Sequence, residues 1–194
     1  FILLLKNVNI IDPLSGVDFE GDIRIKNGKI EDVVEGSLVC EPNEEVFDLE
    51  GKIVAPSFFD THVHFRDFGE SDKETYETGA RAAIRGGYTH VCAMANSKPP
   101  IDSISKYEEV QEKIKNIPLT IFQSVNMTIG MKGEHLTDFE GLKKIGVKCI
   151  TDDGFPIVHE DVMIEALKLS DKYGFILSLH EEDPSFIEHP GYDD

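Results

Sequence analysis

The chain has 194 residues, 40% hydrophobic and 29% charged, with 37 Asp and Glu against 19 Lys and Arg and a formal net charge of −18. That length can bury a sizeable core in one or two domains. So acidic a balance lacks the basic footprint that nucleic acid or an anionic membrane surface needs, and no such partner is expected.

The opening "FILLLKNVNIID" is apolar for only five residues before Lys6, too short for a signal segment or a membrane span. The missing initiator Met suggests that a residue precedes Phe1. Short strands and turns follow, expected at 2–11, 21–26, 29–34, 45–49 and 52–55, with no helical period. "KNGKI" at 26–30 is a hairpin signal, because Asn-Gly supplies the positive φ values of a type I′ turn. Residues 1–55 therefore read as a small antiparallel β unit.

After Pro56 the pattern becomes strand, helix, strand, helix. Strands are expected at 57–64, 90–95, 119–125, 147–151 and 175–180, and helices at 73–86, 103–115, 137–145 and 160–173. "TDFE" at 137–140 fits a capping box with Thr137 as N-cap, and the glycines of "RGGY" suit the end of the first helix. Regular βα alternation over 56–194 argues a parallel sheet, in a barrel or a doubly wound fold. Cys92 and Cys149 sit in apolar runs and read as reduced core residues; with Cys40 they form no CxxC pair, which favours a reducing, cytoplasmic compartment. The stripe of "EDVMIEALKLSDKYG" reads as core.

The polar residues gather where strands end. The first strand, "SFFDTHVHFRD", carries Asp60, His62, His64 and Arg66, and strict alternation would aim the two imidazoles and the guanidinium at one face. Later strands end with Asn96, with Asn126, with Asp152 and Asp153 in "TDDG", and with His180, Glu181 and Glu182 in "LHEED". In a parallel barrel these ends converge on the face where active sites are built. Histidines beside carboxylates suit Zn²⁺ or a similar divalent ion, and a bridging carboxylate can hold two. Arg66 beside Asn96 suits a substrate carboxylate. Each piece has a plainer reading: HxH as a structural pair, "DDG" as a turn, His180 as a satisfied core-edge histidine. Their joint placement favours a site. His90, His135, His159 and His189 read as solvent-facing.

"FFDTHVHFRDFG", followed by "ETYETGARAAIRGGYTHVCAMANSKPPIDS", resembles the dihydroorotases of the amidohydrolase superfamily, in their bacterial class I branch, and "TDDG" and "LHEED" match the family's fourth- and fifth-strand motifs. The resemblance implies a (β/α)8 barrel, with the first five βα units present in residues 56–194, and a small β-sandwich to which residues 1–55 contribute. It implies a cytoplasmic enzyme that interconverts N-carbamoyl-L-aspartate and L-dihydroorotate with one or two zinc ions. A homodimer is compatible with it. Carried over by position, His62 and His64 are ligands of the first metal, Asp153 the bridging carboxylate and His180 a ligand of the second. Arg66 and Asn96 hold the substrate carboxylate, with His64 lining that pocket. Ser57, Phe68, Ala95, Lys98 and Glu181 depart from the family's usual residues, and none of these changes removes an expected ligand. The family's catalytic acid–base aspartate comes from the last barrel strand, so no catalytic residue of that kind is expected within residues 1–194. The chain reads as an amino-terminal portion, expected to be inactive alone. Two other readings follow from the same residues. A hydantoinase or allantoinase would bridge its metals with a carboxylated lysine, for which Lys148 stands on the fourth strand; a non-catalytic relative would serve as a partner protein.

Overall fold

The computed structural model describes residues 1–180 and residue 182. The chain divides into two compact units, Phe1–Ser57 and Phe58–Asp194. Glu181 and His189, named above, lie outside the described residues.

The first unit is one five-stranded sheet. β1 (Ile2–Asp12), β2 (Val17–Lys26) and β3 (Lys29–Glu35) form an antiparallel meander. Asn27 and Gly28 take φ of 52° and 76° at the hairpin between β2 and β3, as Asn-Gly favours. The expected all-antiparallel unit is corrected on the far side of β1. There β4 (Glu45–Asp48) and β5 (Ile53–Val54) both run parallel to it. The connection 36–44 returns the chain to the opposite edge instead of making a third hairpin. Side chains of β2 hold that connection. Asp22 accepts the Leu38 amide at 2.8 Å, while Arg24 donates to the Val39 carbonyl at 2.7 Å and pairs with Glu44 at 2.8 Å. Val8, Ile10 and Ile23 form the buried centre.

The second unit is built from parallel strands and helices in alternation. It runs β6 (Phe58–Val63), α1 (Tyr76–Arg85), β7 (Tyr88–Ala93), α2 (Ile104–Ile114), β8 (Thr120–Gln123), β9 (Val125–Asn126), a 3-10 turn (Ile129–Met131), α3 (Phe139–Lys144), β10 (Cys149–Thr151), α4 (Glu160–Tyr173) and β11 (Ile176–Leu177). β6, β7 and β8 pair in that order, as do β9, β10 and β11, every pair parallel. Between β8 and β9, Ser124 donates its amide and its hydroxyl to the Ala93 carbonyl, at 2.9 and 2.8 Å. The run 120–126 thus pairs with β7 through its first part and with β10 through its second. Val91, Ala93, Ile121, Val125 and Ile150 from the strands meet Val110, Leu142 and Ala166 from the helices in one core. This is the arrangement that apolar runs of four to seven residues between amphipathic helices dictate.

Three local expectations are corrected. α3 is capped by Asp138, which accepts the Gly141 amide at 2.9 Å. Thr137 is buried and donates instead to the Asn126 carbonyl at 2.9 Å, at the end of β9. β6 ends at Val63 and β11 at Leu177, so His64, Arg66 and His180 stand on the turns beyond their strands. Arg66 is not placed by strand alternation, for its φ is +58°. That value is uncommon outside glycine and turns the chain sharply.

Candidate metal centre

β6 delivers His62 and the turn after it delivers His64. The Asp60 carboxylate accepts the His62 amide at 3.0 Å and stiffens that end of the strand. Phe65, the next residue, is buried edge-to-face against Tyr76 at 5.6 Å between ring centres. It anchors the turn to α1 and leaves its neighbours His64 and Arg66 in a cavity with Asn96 and Ser97.

Asp153 arrives from the loop after β10. His62 Nε2 and His64 Nε2 lie 3.3 Å apart, and Asp153 Oδ2 stands 3.4 Å from the first and 3.3 Å from the second. Among the described residues, these three form the one group of His, Cys, Asp or Glu close enough to share an ion. The triangle has the dimensions of a coordination face: with metal–ligand bonds of about 2.0–2.1 Å at tetrahedral angles, neighbouring donors stand about 3.3–3.4 Å apart. Two imidazole nitrogens and a carboxylate oxygen are also the donor types that zinc takes. The residues therefore fit a divalent ion. Burial, with the Arg66 charge behind it, lowers the His64 pKa below its ordinary value, which favours the neutral ring that binds metal.

The other Asp153 oxygen faces a different partner. Oδ1 lies 3.9 Å from His180 Nδ1, and His180 Nε2 is 2.8 Å from Glu182 Oε2. Asp153 thus stands between the histidine pair of the first strand and the histidine that follows the fifth. Asp152, one residue earlier, is not in the centre. It is buried and accepts the Met127 amide at 2.8 Å and the Thr128 hydroxyl and amide. The pair read as neighbouring site carboxylates is split between two tasks. Asn126, also buried, donates to the Thr151 carbonyl at 3.1 Å. His90, His135 and His159 are exposed.

Asn96, after β7, reaches into the centre. Its Oδ1 lies 3.0 Å from His64 Nδ1, and its Nδ2 donates to Asp153 Oδ2 at 3.0 Å and to the Asp153 carbonyl at 3.2 Å. Arg66 differs: among the described residues no carboxylate pairs with its guanidinium. It opens on a cleft of about 410 Å³ with Asn96, Lys98, Gly130, Met131 and Phe155. Sequence reasoning did not single out Gly130, Met131 or Phe155, which lie on loops without periodicity. Lys148 is exposed and lines a separate cavity of about 510 Å³ with His62, Thr61 and Cys149. Cys92 and Cys149 are buried, unpaired thiols and Cys40 an exposed one. No described helix is long and apolar enough to cross a membrane.

Comparison with known proteins places the chain in a family. Residues 51–190 match the family model described as dihydro-orotase-like. The chain is 41% identical over 190 residues to a dihydroorotase of Clostridioides difficile, covering 98% of this chain and 45% of that protein. It is 39% identical over 182 residues to one of Aquifex aeolicus, covering 93% and 43%. It thus spans less than half the length of these relatives. Among solved structures, an L-hydantoinase of Arthrobacter aurescens superposes with a TM-score of 0.79 at 19% identity, over 96% of this chain and 42% of that one. A D-hydantoinase superposes with a TM-score of 0.73 at 21% identity, over 94% and 40%. At such identities the likeness is one of fold. With a family match over most of its length, the chain belongs to the dihydro-orotase-like family.

Proposed function

We propose that the protein containing this chain is a zinc-dependent dihydroorotase, interconverting N-carbamoyl-L-aspartate and L-dihydroorotate in the cytoplasm. The observation that carries the reading is the triangle of His62, His64 and Asp153 beside an Arg66 that has no carboxylate partner among the described residues. On this reading residues 56–194 supply the first five βα units of a (β/α)8 barrel, and residues 1–55 belong to a small β-sandwich.

His62, His64 and Asp153 would hold a divalent ion, and His180, whose Nδ1 lies 3.9 Å from Asp153 Oδ1, would contribute to holding a second. A divalent ion bound there supplies Lewis acidity toward the ring amide carbonyl and lowers the pKa of a water molecule. The chain's own residues do the rest of what falls to this portion. Arg66 grips the substrate carboxylate through its planar fork and fixes the ring at reacting distance, with Asn96 and His64 forming the adjoining wall. The proton for the departing nitrogen comes from an aspartate expected beyond residue 194.

The experiment is turnover of dihydroorotate by the complete protein, with zinc content measured in the same samples. Wild type should turn over and carry zinc, and His62→Ala should lose both. Zinc-loaded wild type that opens hydantoin or allantoin but not dihydroorotate would replace this reading by the cyclic-amidohydrolase alternative. Lys148, lining a cavity with His62, is the residue that would support that alternative, and a carboxylated Lys148 would show as a mass gain.

A further inference from the structure

We infer that Lys113 is a positioning residue for Arg66: its ammonium clamps the turn that aims the guanidinium into the cleft. Arg66 receives the substrate carboxylate on the proposed function, on which this role rests, so the aim of its side chain decides how that anion is held. Arg66 and Phe68 take φ of +58° and +76°, and Gly69 follows at +87°. Glycine adopts such angles freely, but a Cβ crowds the backbone there. Arg66 and Phe68 therefore keep them only where contacts from outside the turn outweigh the strain.

Two sets of contacts hold the turn. From the loop after β7, Lys98 donates its amide to the Phe68 carbonyl at 3.0 Å, and a Cβ on Gly69 would stand 2.0 Å from the Lys98 carbonyl. From the last turn of α2, Lys113 brings Nζ to 3.2 Å from Asp67 Oδ1 and 4.7 Å from the centre of the Phe68 ring. The same carboxylate oxygen accepts the Phe68 amide and the Ser71 hydroxyl, each at 3.0 Å. One ammonium thus meets the carboxylate and the ring that follow Arg66 directly in the chain. The Asp67 side chain is only 11% exposed, so this pair is less screened than an open surface pair.

Glu70 supplies the contrast. It pairs with Lys73 and Lys98, and all three line the cleft itself, so changing any of them alters the wall that a substrate would touch. Lys113 lines neither cavity that Arg66 borders. Its effect on a bound anion has to pass through Asp67 and Phe68 to the backbone of Arg66.

The test compares wild type, Lys113→Met, Lys113→Arg and the double variant Lys113→Met with Asp67→Asn, each in the complete zinc-loaded protein. Methionine keeps the apolar stem and drops the charge. KM for dihydroorotate should rise by about 3–10-fold, because the clamp can pass on no more than one ion pair and one cation–π contact contribute. kcat and zinc content should stay at wild-type values, and Lys113→Arg, which can make both contacts, should restore KM. Relaxation of the Arg66 ¹⁵Nε, measured without substrate, should show a looser side chain in Lys113→Met than in wild type or Lys113→Arg. Losing a positive charge could also weaken an anion at long range. The double variant has the wild-type net charge, so a long-range effect would be reversed in it, whereas a lost clamp leaves KM raised. A KM restored in the double variant, or an unchanged KM and Arg66 order in Lys113→Met, overturns the inference. So does a parallel fall in kcat and zinc, which would make Lys113 a support for the metal ligands. Zinc-loaded wild type without turnover would sink the proposed activity, and the Arg66 relaxation would still decide whether Lys113 holds the turn.

Discussion

Asp152 and Asp153 are adjacent in the chain and point their carboxylates into opposite surroundings. Asp152 is caged by the Met127 amide and the Thr128 amide and hydroxyl, while Asp153 turns Oδ2 to within 3.4 Å of two imidazoles. Burial raises the Asp152 pKa, and the hydrogen bonds from Thr128 and Met127 work against that rise. The same substitution should therefore have unlike effects at the two positions. Asp152→Asn places an NH2 against buried donors and should cost about 1–3 kcal/mol in denaturant unfolding, with zinc stoichiometry unchanged. Asp153→Asn should leave stability nearly intact and strip the zinc. Zinc loss in Asp152→Asn, in protein that remains folded, would make both aspartates part of the centre.

Much of this was legible along the chain. The βα alternation is written in apolar runs and helical stripes, and HxH at the end of an apolar strand brings two imidazoles to one place. What was not legible depends on partners far away in sequence. Which aspartate of "DDG" faces the imidazoles is decided by Met127 and Thr128, about 25 residues earlier, whose amides need a buried acceptor. The parallel pairing of β4 and β5 on β1 depends on Asp22 and Arg24 holding the connection 36–44, and no local pattern reports strand direction. Arg66 was expected to follow its strand, but the strand stops at Val63 and a left-handed turn places the side chain. A positive φ at a non-glycine residue leaves no compositional trace. Thr137 and Asp138 are both plausible caps by type. The carbonyl at the end of β9 needed a donor, and only the threonine has a hydroxyl to give.

Arg66→Lys tests the substrate grip. Lysine keeps the charge and loses the planar fork, so KM for dihydroorotate should rise by roughly tenfold or more. Zinc content should stay at the wild-type value, because Arg66 is not a ligand type. A zinc loss matching that of His62→Ala would instead make Arg66 a support for the ligands.

Asp102 ties the loop after β9 to the start of α2. It accepts the Gly130 amide at 2.8 Å through one oxygen and Lys106 Nζ at 2.7 Å through the other. Burial pushes its pKa up, but Lys106 and the Gly130 amide outweigh it, and the net shift is below the ordinary 3.8. With the folded value lower, the unfolded chain takes up the proton first. The contribution of Asp102 is then fully present above about pH 4–5 and is lost as pH falls through the folded pKa. Asp102→Asn should cost about 1–2 kcal/mol at pH 7, and the gap from wild type should close on acidification below pH ~4. A gap that widens in acid would reverse the assignment. Gly130 and Met131 line the cleft with Arg66, so the variant should also raise KM.

Gly79 connects the helix layer to the centre. It lies in α1 and is buried, and a Cβ built on it would stand 2.2 and 2.3 Å from Cδ1 and Cε1 of Phe65. In an open helix, Gly→Ala stabilises by about 0.5–1 kcal/mol, since alanine has less backbone entropy to lose. Here the sign should reverse. The Phe65 ring is 6% exposed and held edge-to-face by Tyr76, whose hydroxyl donates to Gln123 at 2.7 Å, so it has little room to retreat. Overpacking of this kind costs about 1–3 kcal/mol. Because Phe65 stands between His64 and Arg66, its displacement should also lower zinc affinity and raise KM. A double-mutant cycle with Phe65→Leu isolates the contact: the smaller, more flexible side chain should recover most of the loss caused by Gly79→Ala. If Gly79→Ala proves stabilising, helix propensity has won and Phe65 is freer than its burial indicates. If it destabilises without coupling to Phe65→Leu, the strain lies elsewhere on α1 and the route from helix to metal centre fails.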